Sequence, residues 1–333
     1  MPTHPVVFLT DRGLRHQEAA RQAAPANLAV TILRTPTFDE LRPHLATAEF
    51  IISERNQPVT ADMIDAAPNL KLIVRLGSLG YDIDSAAAAA RGVKVVVQPV
   101  LGSFFCAEHA LMMTLALIKK LGRGMHDALT AMHGLPAQRG DEDTFSFNWL
   151  GYTDIGGLIG RTVSIVGMGE IGVEYARLVR PFHLAAAYYN KRTPYPAHVE
   201  SELGIRHADL TTCLAAADVL ISLLPYSAET DYQRGGLNRE RLALLKPSAV
   251  LVHLGSGSVV DEAAVLEMLR MGRLAGAAFD TYEYEPLQPD NPLVLYARDP
   301  KNNLLLTPHT AAAHVTVGRE GDYAAILDYL RGA

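Results

Sequence analysis

The segment Thr162–Val179, TVSIVGMGEIGVEYARLV, decides the fold. TVSIV has the length and β-branched content of a buried strand, and EIGVEYARLV has the length and residue types of a helix. Between and into them run Gly167, Gly169 and Gly172 at the spacing GxGxxG. In a strand-to-helix turn the first glycine permits the tight bend, the second lets backbone approach a pyrophosphate, and the third lets helix and strand pack closely. The helix start adds unpaired N–H groups and a partial positive charge that suit phosphate. The segment therefore predicts a dinucleotide-binding turn, with Gly167, Gly169, Glu170 and Ile171 at the contact. Glycines serving a tight turn alone are the plainer alternative.

Working outward, the same alternation of apolar runs and helical stretches continues downstream through AAAYYN, ADVLISLL, SAVLVHL, LAGAAFDTY and NLLLTP. Upstream it is present from the start: PVVFLT, LAVTILR, EFIIS, KLIVRLG and VKVVVQP, separated by stretches such as DRGLRHQEAARQAA and TFDELRPHLATA. Continuously apolar strands separated by helices of about ten residues imply parallel sheets covered on both faces. Two such series are expected, joined by a long apolar helix, AEHALMMTLALIKKLG, and a Gly-, Asp- and aromatic-rich loop or arm from about His133 to Gly160. The final stretch, GREGDYAAILDYLRGA, is too short to be a domain and is expected to pack on the first series.

Bulk properties agree. A chain of 333 residues supports two cores, and 49% hydrophobic with 20% charged residues is an ordinary globular balance. No tract approaches the ~18 uninterrupted apolar residues of a membrane span, and the start, MPTHPVVFLT, lacks the basic region of a signal peptide. The expectation is no membrane partner and a cytoplasmic location. Cys106 and Cys213 cannot make a disulfide framework and read as buried small hydrophobes. A net charge of −6 without a basic cluster argues against nucleic acid.

The strand after the glycine turn selects the dinucleotide, because its last residue lies beside the adenosine ribose. An Asp or Glu there would hold the hydroxyls of NAD. Here Asn190 is followed by Lys191 and Arg192. A neutral residue beside two cations favours a 2′-phosphate, hence NADP, with NAD as the alternative and two solvated loop charges as the plainer reading.

With these residues in view, the chain resembles the D-isomer-specific 2-hydroxyacid dehydrogenases. The resemblance rests on LGSLGYDID from Leu76, AEHALMMTLAL from Ala107, VGMGEIG from Val166, LLPYSAET from Leu223, LLKPSAVLVHLGSGSVVDE from Leu244, GRLAGAAFDTYEYEP from Gly272 and LTPHTAAA from Leu306, in that order. It implies an α/β fold of two doubly wound parallel-sheet domains. A discontinuous, flavodoxin-like substrate domain (1–104 with 309–333) would join a Rossmann-type cofactor domain (105–308), the implied partners being a small-molecule substrate and a second copy in a homodimer. It implies His309 as the acid/base and Glu285 as its carboxylate partner, with Glu283 the neighbouring alternative. Leu224, Pro225 and Asp280 fall on cofactor positions, Asp280 orienting the nicotinamide carboxamide. Ser78, Leu79 and Gly80 fall in the loop that holds carboxylates. His109 falls on a structural position, and His253 reads as a core histidine with substrate contact a minor possibility.

One position departs from the family pattern. In Gly255–Asp261, GSGSVVD, every residue fits except Ser256, where the family has the arginine that binds the substrate carboxylate and carbonyl. A serine offers one neutral donor where arginine offers a planar fork. Losing a charged hydrogen-bonding partner costs roughly 1.5 to 3 kcal/mol, about 10- to 150-fold in binding. Three readings follow. Another cation, Arg55 foremost, or the amides of Gly77–Gly80, takes over the anion. The substrate lacks the usual carboxylate, with Ser256 joining His309 and Glu285 at the catalytic centre. Or turnover is lost and the protein is a dinucleotide-dependent binder, against which the retention of Glu285, His309 and Asp280 speaks.

Overall fold

The computed structural model describes residues 3–54, 57–225, 236–312 and 319–332. The chain divides into two compact units, Met1–Ser103 with His314–Ala333, and Phe104–Ala313. The second unit ends at Ala313, five residues beyond the boundary at 308 that the resemblance implied, so His309 falls within it.

The first unit holds β1 (His4–Thr10), β2 (Leu28–Arg34), β3 (Phe50–Glu54), β4 (Leu72–Leu76) and β5 (Lys94–Gln98), in the order β2-β1-β3-β4-β5. All pairings are parallel, and the order is that of flavodoxin-like sheets. Adjacent residues of β1 point to opposite faces and both faces are covered. Val6 and Phe8 join Phe50, Ile52, Tyr323 and Ile326 on one side, while Val7 and Leu9 join Leu41, Ile51 and Ile64 on the other. Tyr323 and Ile326 come from the C-terminal segment, whose helix Ala324–Gly332 covers this sheet. Helix Phe38–Leu45 starts on a capping box: Thr37 accepts from Glu40 N, and Glu40 Oε2 accepts from Thr37 N at 2.8 Å.

The second unit holds β6 (Thr162–Val166), β7 (Ala186–Asn190), β8 (Arg206–His207), β9 (Val219–Ser222), β10 (Val250–His253), β11 (Gly276–Phe279) and β12 (Leu304–Leu306). Their order, β12-β11-β10-β9-β6-β7-β8, is all parallel and doubly wound from β6, the Rossmann arrangement. The two-residue edge strand β8 has no sequence signature and was not anticipated. The apolar helix also differs from expectation: it runs from Leu101 to Ile118, and a second helix covers Leu121–Thr130. The break falls at Lys120, whose φ of 52° is left-handed. Among the described residues Leu101–Ile118 is the one helix long and apolar enough to cross a membrane, with mean hydropathy 1.6. Ala107, Ala110, Met113 and Leu117 along it are buried, and Thr114 Oγ1 meets Tyr175 Oη at 3.0 Å. Residues 133–160 contain neither helix nor strand.

Candidate active site

The site residues of the second unit follow the carboxyl ends of consecutive strands. Gly167 follows β6, Asn190 ends β7, Leu224 and Pro225 follow β9, Ser256 follows β10, Asp280 follows β11 and His309 follows β12. In doubly wound sheets ligands bind in the crevice outside those ends, where the strand order reverses, here between β6 and β9.

The glycine turn is shaped for that crevice. Gly167 has φ +92°, and a Cβ there would lie 2.6 Å from the Leu223 carbonyl carbon. Gly172 lets the helix Glu170–Val179 sit on β6, since a Cβ would be 3.3 Å from Ile165 Cγ2. At Gly169 nothing lies within 4 Å of the Cβ position. That open cradle, in front of a helix start with no side-chain cap, fits a pyrophosphate. Glu170 is buried and Ile171 half-buried in the first turn.

Above the turn, His309 Nδ1–H donates to Glu285 Oε2 at 2.8 Å, and Glu285 Oε1 accepts the Tyr282 N–H at 2.9 Å. The pair is solvent-facing, with side chains 61% and 34% exposed, so it adds little stability. Its effect is orientation: Nδ1 is occupied and Nε2 is left for the crevice. Asp280 lies behind it, 1% exposed, with both oxygens engaged by the segment carrying His309. Oδ1 accepts from Thr307 Oγ1 at 2.6 Å and Thr310 N at 2.9 Å, and Oδ2 from Ala311 N at 3.0 Å. His109 Nε2 closes the network, 3.0 Å from Thr307 Oγ1 and 3.6 Å from Asp280 Oδ1.

One cavity of about 470 Å³ is lined by Leu224, Pro225, Gly255, Ser256, Glu285 and His309, among others. The structure therefore brings the three sequence-level catalytic candidates together with two of the cofactor candidates. Ser256 N donates to Leu224 O at 2.9 Å, which ties the turn after β10 to the end of β9. His253, one turn below, is fully buried, with Nδ1 3.0 Å from Ser222 Oγ and its ring edge-on to Phe279. Burial pushes its pKa down to about 4, so it is a neutral core histidine. Glu262 was not singled out from sequence, although it directly follows the quoted turn. Its Oε1 accepts the Glu283 N–H at 2.7 Å, and burial followed by the charge of Glu285 pushes its carboxyl up to about 7.

A second cavity, about 390 Å³, lies beside the end of β7 and is lined by Asn190, Lys191, His207, Asp209 and Arg241, with apolar residues between. Asn190 Nδ2 donates to Ala208 O at 3.0 Å, and Lys191 Nζ sits 3.9 Å above the Tyr195 ring. Arg192 is exposed and outside this lining. His207 and Arg241 were not legible, because each reaches the cavity from a different stretch of chain.

Ser78, Leu79 and Gly80 belong to the first unit, in the loop after β4. Arg75 Nε meets both oxygens of Asp82 at 3.0 Å across the base of that loop, a largely buried pair that holds it closed. Arg55 lies outside the described residues. Cys213 is buried and Cys106 half-buried; burial raises both thiols, to about 12 and about 11. No group of three or more metal-ligating side chains occurs among the described residues.

Fold and site define a nicotinamide dinucleotide-dependent oxidoreductase, and the comparisons agree. The profile of the D-isomer specific 2-hydroxyacid dehydrogenase NAD-binding domain matches residues 128–311. Over 299 residues the chain is 30% identical to a D-3-phosphoglycerate dehydrogenase of Archaeoglobus fulgidus, covering 89% of this chain but about half, 52%, of that relative. Over 273 residues it is 35% identical to a glyoxylate reductase of Thermococcus onnurineus, covering 81% and 74%. The crystal structure of the PH0520 protein from Pyrococcus horikoshii matches with a TM-score of 0.58 at 27% identity, covering 99% and 92%. The chain belongs to the D-isomer-specific 2-hydroxyacid dehydrogenase family.

Proposed function

We propose that the protein interconverts a small 2-oxo acid, glyoxylate being the first choice, and its 2-hydroxy acid, with His309 as the acid/base. The observation that carries this reading is the His309–Glu285 pair at 2.8 Å, in one cavity with Ser256 beside the glycine turn. A reduced nicotinamide, when bound, would supply the hydride to the carbonyl carbon. His309 Nε2 donates the proton to the carbonyl oxygen, completing the alcohol, and takes it back in oxidation. Glu285 holds the imidazole in the donating orientation, and Asp280 holds the segment on which His309 stands.

NADP is the proposed cofactor form, supported by Lys191 and Arg241 beside the neutral Asn190. Arg192 contributes from the exposed rim. In place of an arginine at 256, the candidates proposed for holding the substrate anion are Arg55 or the amides of Ser78, Leu79 and Gly80. A substrate without a carboxylate is the second reading, favoured by the neutral Ser256 in the lining of the 470 Å³ cavity. The exposed apolar residues Leu129, Met132, Phe145 and Phe147 support a homodimer, testable by sedimentation velocity. Two unpaired cysteines suit a reducing compartment such as the cytoplasm.

The test is oxidation of NADPH and NADH with glyoxylate, hydroxypyruvate, pyruvate and bulkier 2-oxo acids. Wild type, His309→Ala and Ser256→Arg are compared. Wild type should turn over a 2-oxo acid with a lower KM for NADPH than NADH, and His309→Ala should lose about 10²- to 10⁴-fold. Unchanged turnover in His309→Ala removes the acid/base assignment. Activity confined to Ser256→Arg moves the natural substrate to the class lacking a carboxylate.

A further inference from the structure

Glu262 opens the helix Glu262–Arg270, directly after the N-cap Asp261, whose carboxylate accepts Ala264 N at 2.8 Å. With that cap in place, the Glu262 side chain is directed elsewhere, and its Oε1 accepts the Glu283 N–H at 2.7 Å. The preceding amide, Tyr282 N–H, donates to Glu285 Oε1 at 2.9 Å, while the other oxygen of Glu285 holds His309. Two carboxyl groups from different elements thus converge on adjacent amides of one turn. We infer that Glu262 is a positioning residue for the His309–Glu285 pair: it fixes the turn 282–285 and, by holding or releasing its own proton, sets the negative charge behind the imidazole. The inference rests on the reading of that pair as the proton-handling group.

Two like charges so placed disfavour joint ionisation. Burial and the Glu285 charge raise the Glu262 carboxyl to about 7, which puts the proton on Glu262 and leaves Glu285 free to serve His309. The ionisable groups that act on it are Glu285 and Tyr282 on the turn; of Glu283 it holds the backbone amide, and the Asp261 carboxylate is engaged by Ala264 N. Among the described residues, Arg239 pairs with Glu267 at 2.6 Å, Arg241 Nη1 donates to Gly236 O, and Arg270 lies over the Tyr296 ring. Below neutrality one carboxylate charge lies behind the imidazole and above neutrality two, so the charge against which His309 gives up or takes back a proton changes with pH in wild type.

Glu262→Gln keeps the acceptor for Glu283 N and removes the titration, whereas Glu262→Ala removes both. Glu262→Gln should match wild type in reduction at pH 6 and differ from it roughly three- to tenfold at pH 8. Glu262→Ala should lose about tenfold or more in kcat at every pH, with the KM for dinucleotide unchanged. Independently of turnover, NMR of protein carrying ¹³C-carboxyl glutamate should show a resonance titrating near pH 7. It should vanish in Glu262→Gln and move to lower pH in Glu285→Gln. An identical pH profile in wild type and Glu262→Gln overturns the inference, as does a titrating resonance that survives Glu262→Gln or ignores Glu285→Gln. Absence of turnover with every 2-oxo acid would instead count against the proposed function, and the NMR titration then decides the Glu262 assignment alone.

Discussion

His309 has φ +53°, a left-handed conformation that costs a non-glycine residue roughly 1 to 2 kcal/mol. Asp280 offsets this with three hydrogen bonds to the flanking Thr307, Thr310 and Ala311, each worth roughly 1.5 to 3 kcal/mol to a charged acceptor, against its own desolvation. The geometry of the imidazole is therefore imposed from a buried carboxylate that does not touch it. Asp280→Asn keeps one acceptor oxygen but loses the charge, and the segment should loosen. Expected is a fall in kcat of about 10- to 150-fold, the same energy expressed as rate, read at saturating dinucleotide. A kcat within twofold of wild type would mean that His309 holds its place without Asp280. Glu285 rather than Glu283 reaching His309 is also decided at this scale, since the Glu283 amide is tied to Glu262.

At the scale of the element, the turn between β6 and the helix Glu170–Val179 contains two glycines with different reasons for being there. Gly167 is required by the fold: its positive φ and a Cβ 2.6 Å from the Leu223 carbonyl carbon leave no room for a side chain. Gly169 is not required by the fold, since its Cβ direction is open and its φ of −105° suits any residue; what a side chain there would obstruct is the proposed approach of the pyrophosphate. Gly167→Ala should accordingly lower Tm by several degrees and weaken dinucleotide binding together. Gly169→Ala should leave Tm within about a degree of wild type while weakening dinucleotide binding about tenfold or more. Calorimetry and a fluorescence titration separate the two. Equal Tm losses in both variants would reject the distinction. The turn was legible because its function demands a fixed local spacing, whereas β8 and the break at Lys120 answer to neighbours distant in sequence.

For the molecule as a whole, two titrations, one of a buried and one of a half-buried group, oppose each other in mild acid. His253 is held neutral, its pKa lowered from 6.5 to about 4, so the unfolded chain binds its proton first and stability is lost as pH falls from about 6.5 to 4. The shift corresponds to at most about 3 kcal/mol. Glu262, raised from 4.5 to about 7, acts oppositely: its contribution is present below about 4.5 and lost as pH rises to about 7. His253→Asn should flatten the fall in Tm between pH 6.5 and 4.5, and Glu262→Gln should steepen it. An unchanged pH dependence in His253→Asn would mean that the buried imidazole does not contribute to acid sensitivity. The sequence by itself determined the two parallel sheets and the glycine turn, because strand alternation and motif spacing are local and are written in consecutive positions, and its resemblance to the family implied the candidate proton-handling residues. Only the tertiary structure decided which side chains act together: Glu262 on the turn of Glu285, Asp280 under His309, His253 out of reach in the core, and Lys191 rather than Arg192 in the cavity beside Asn190. Those partners lie 21 to 31 positions apart or on separate elements, and packing of strand ends, rather than any local pattern, brings them within hydrogen-bond distance.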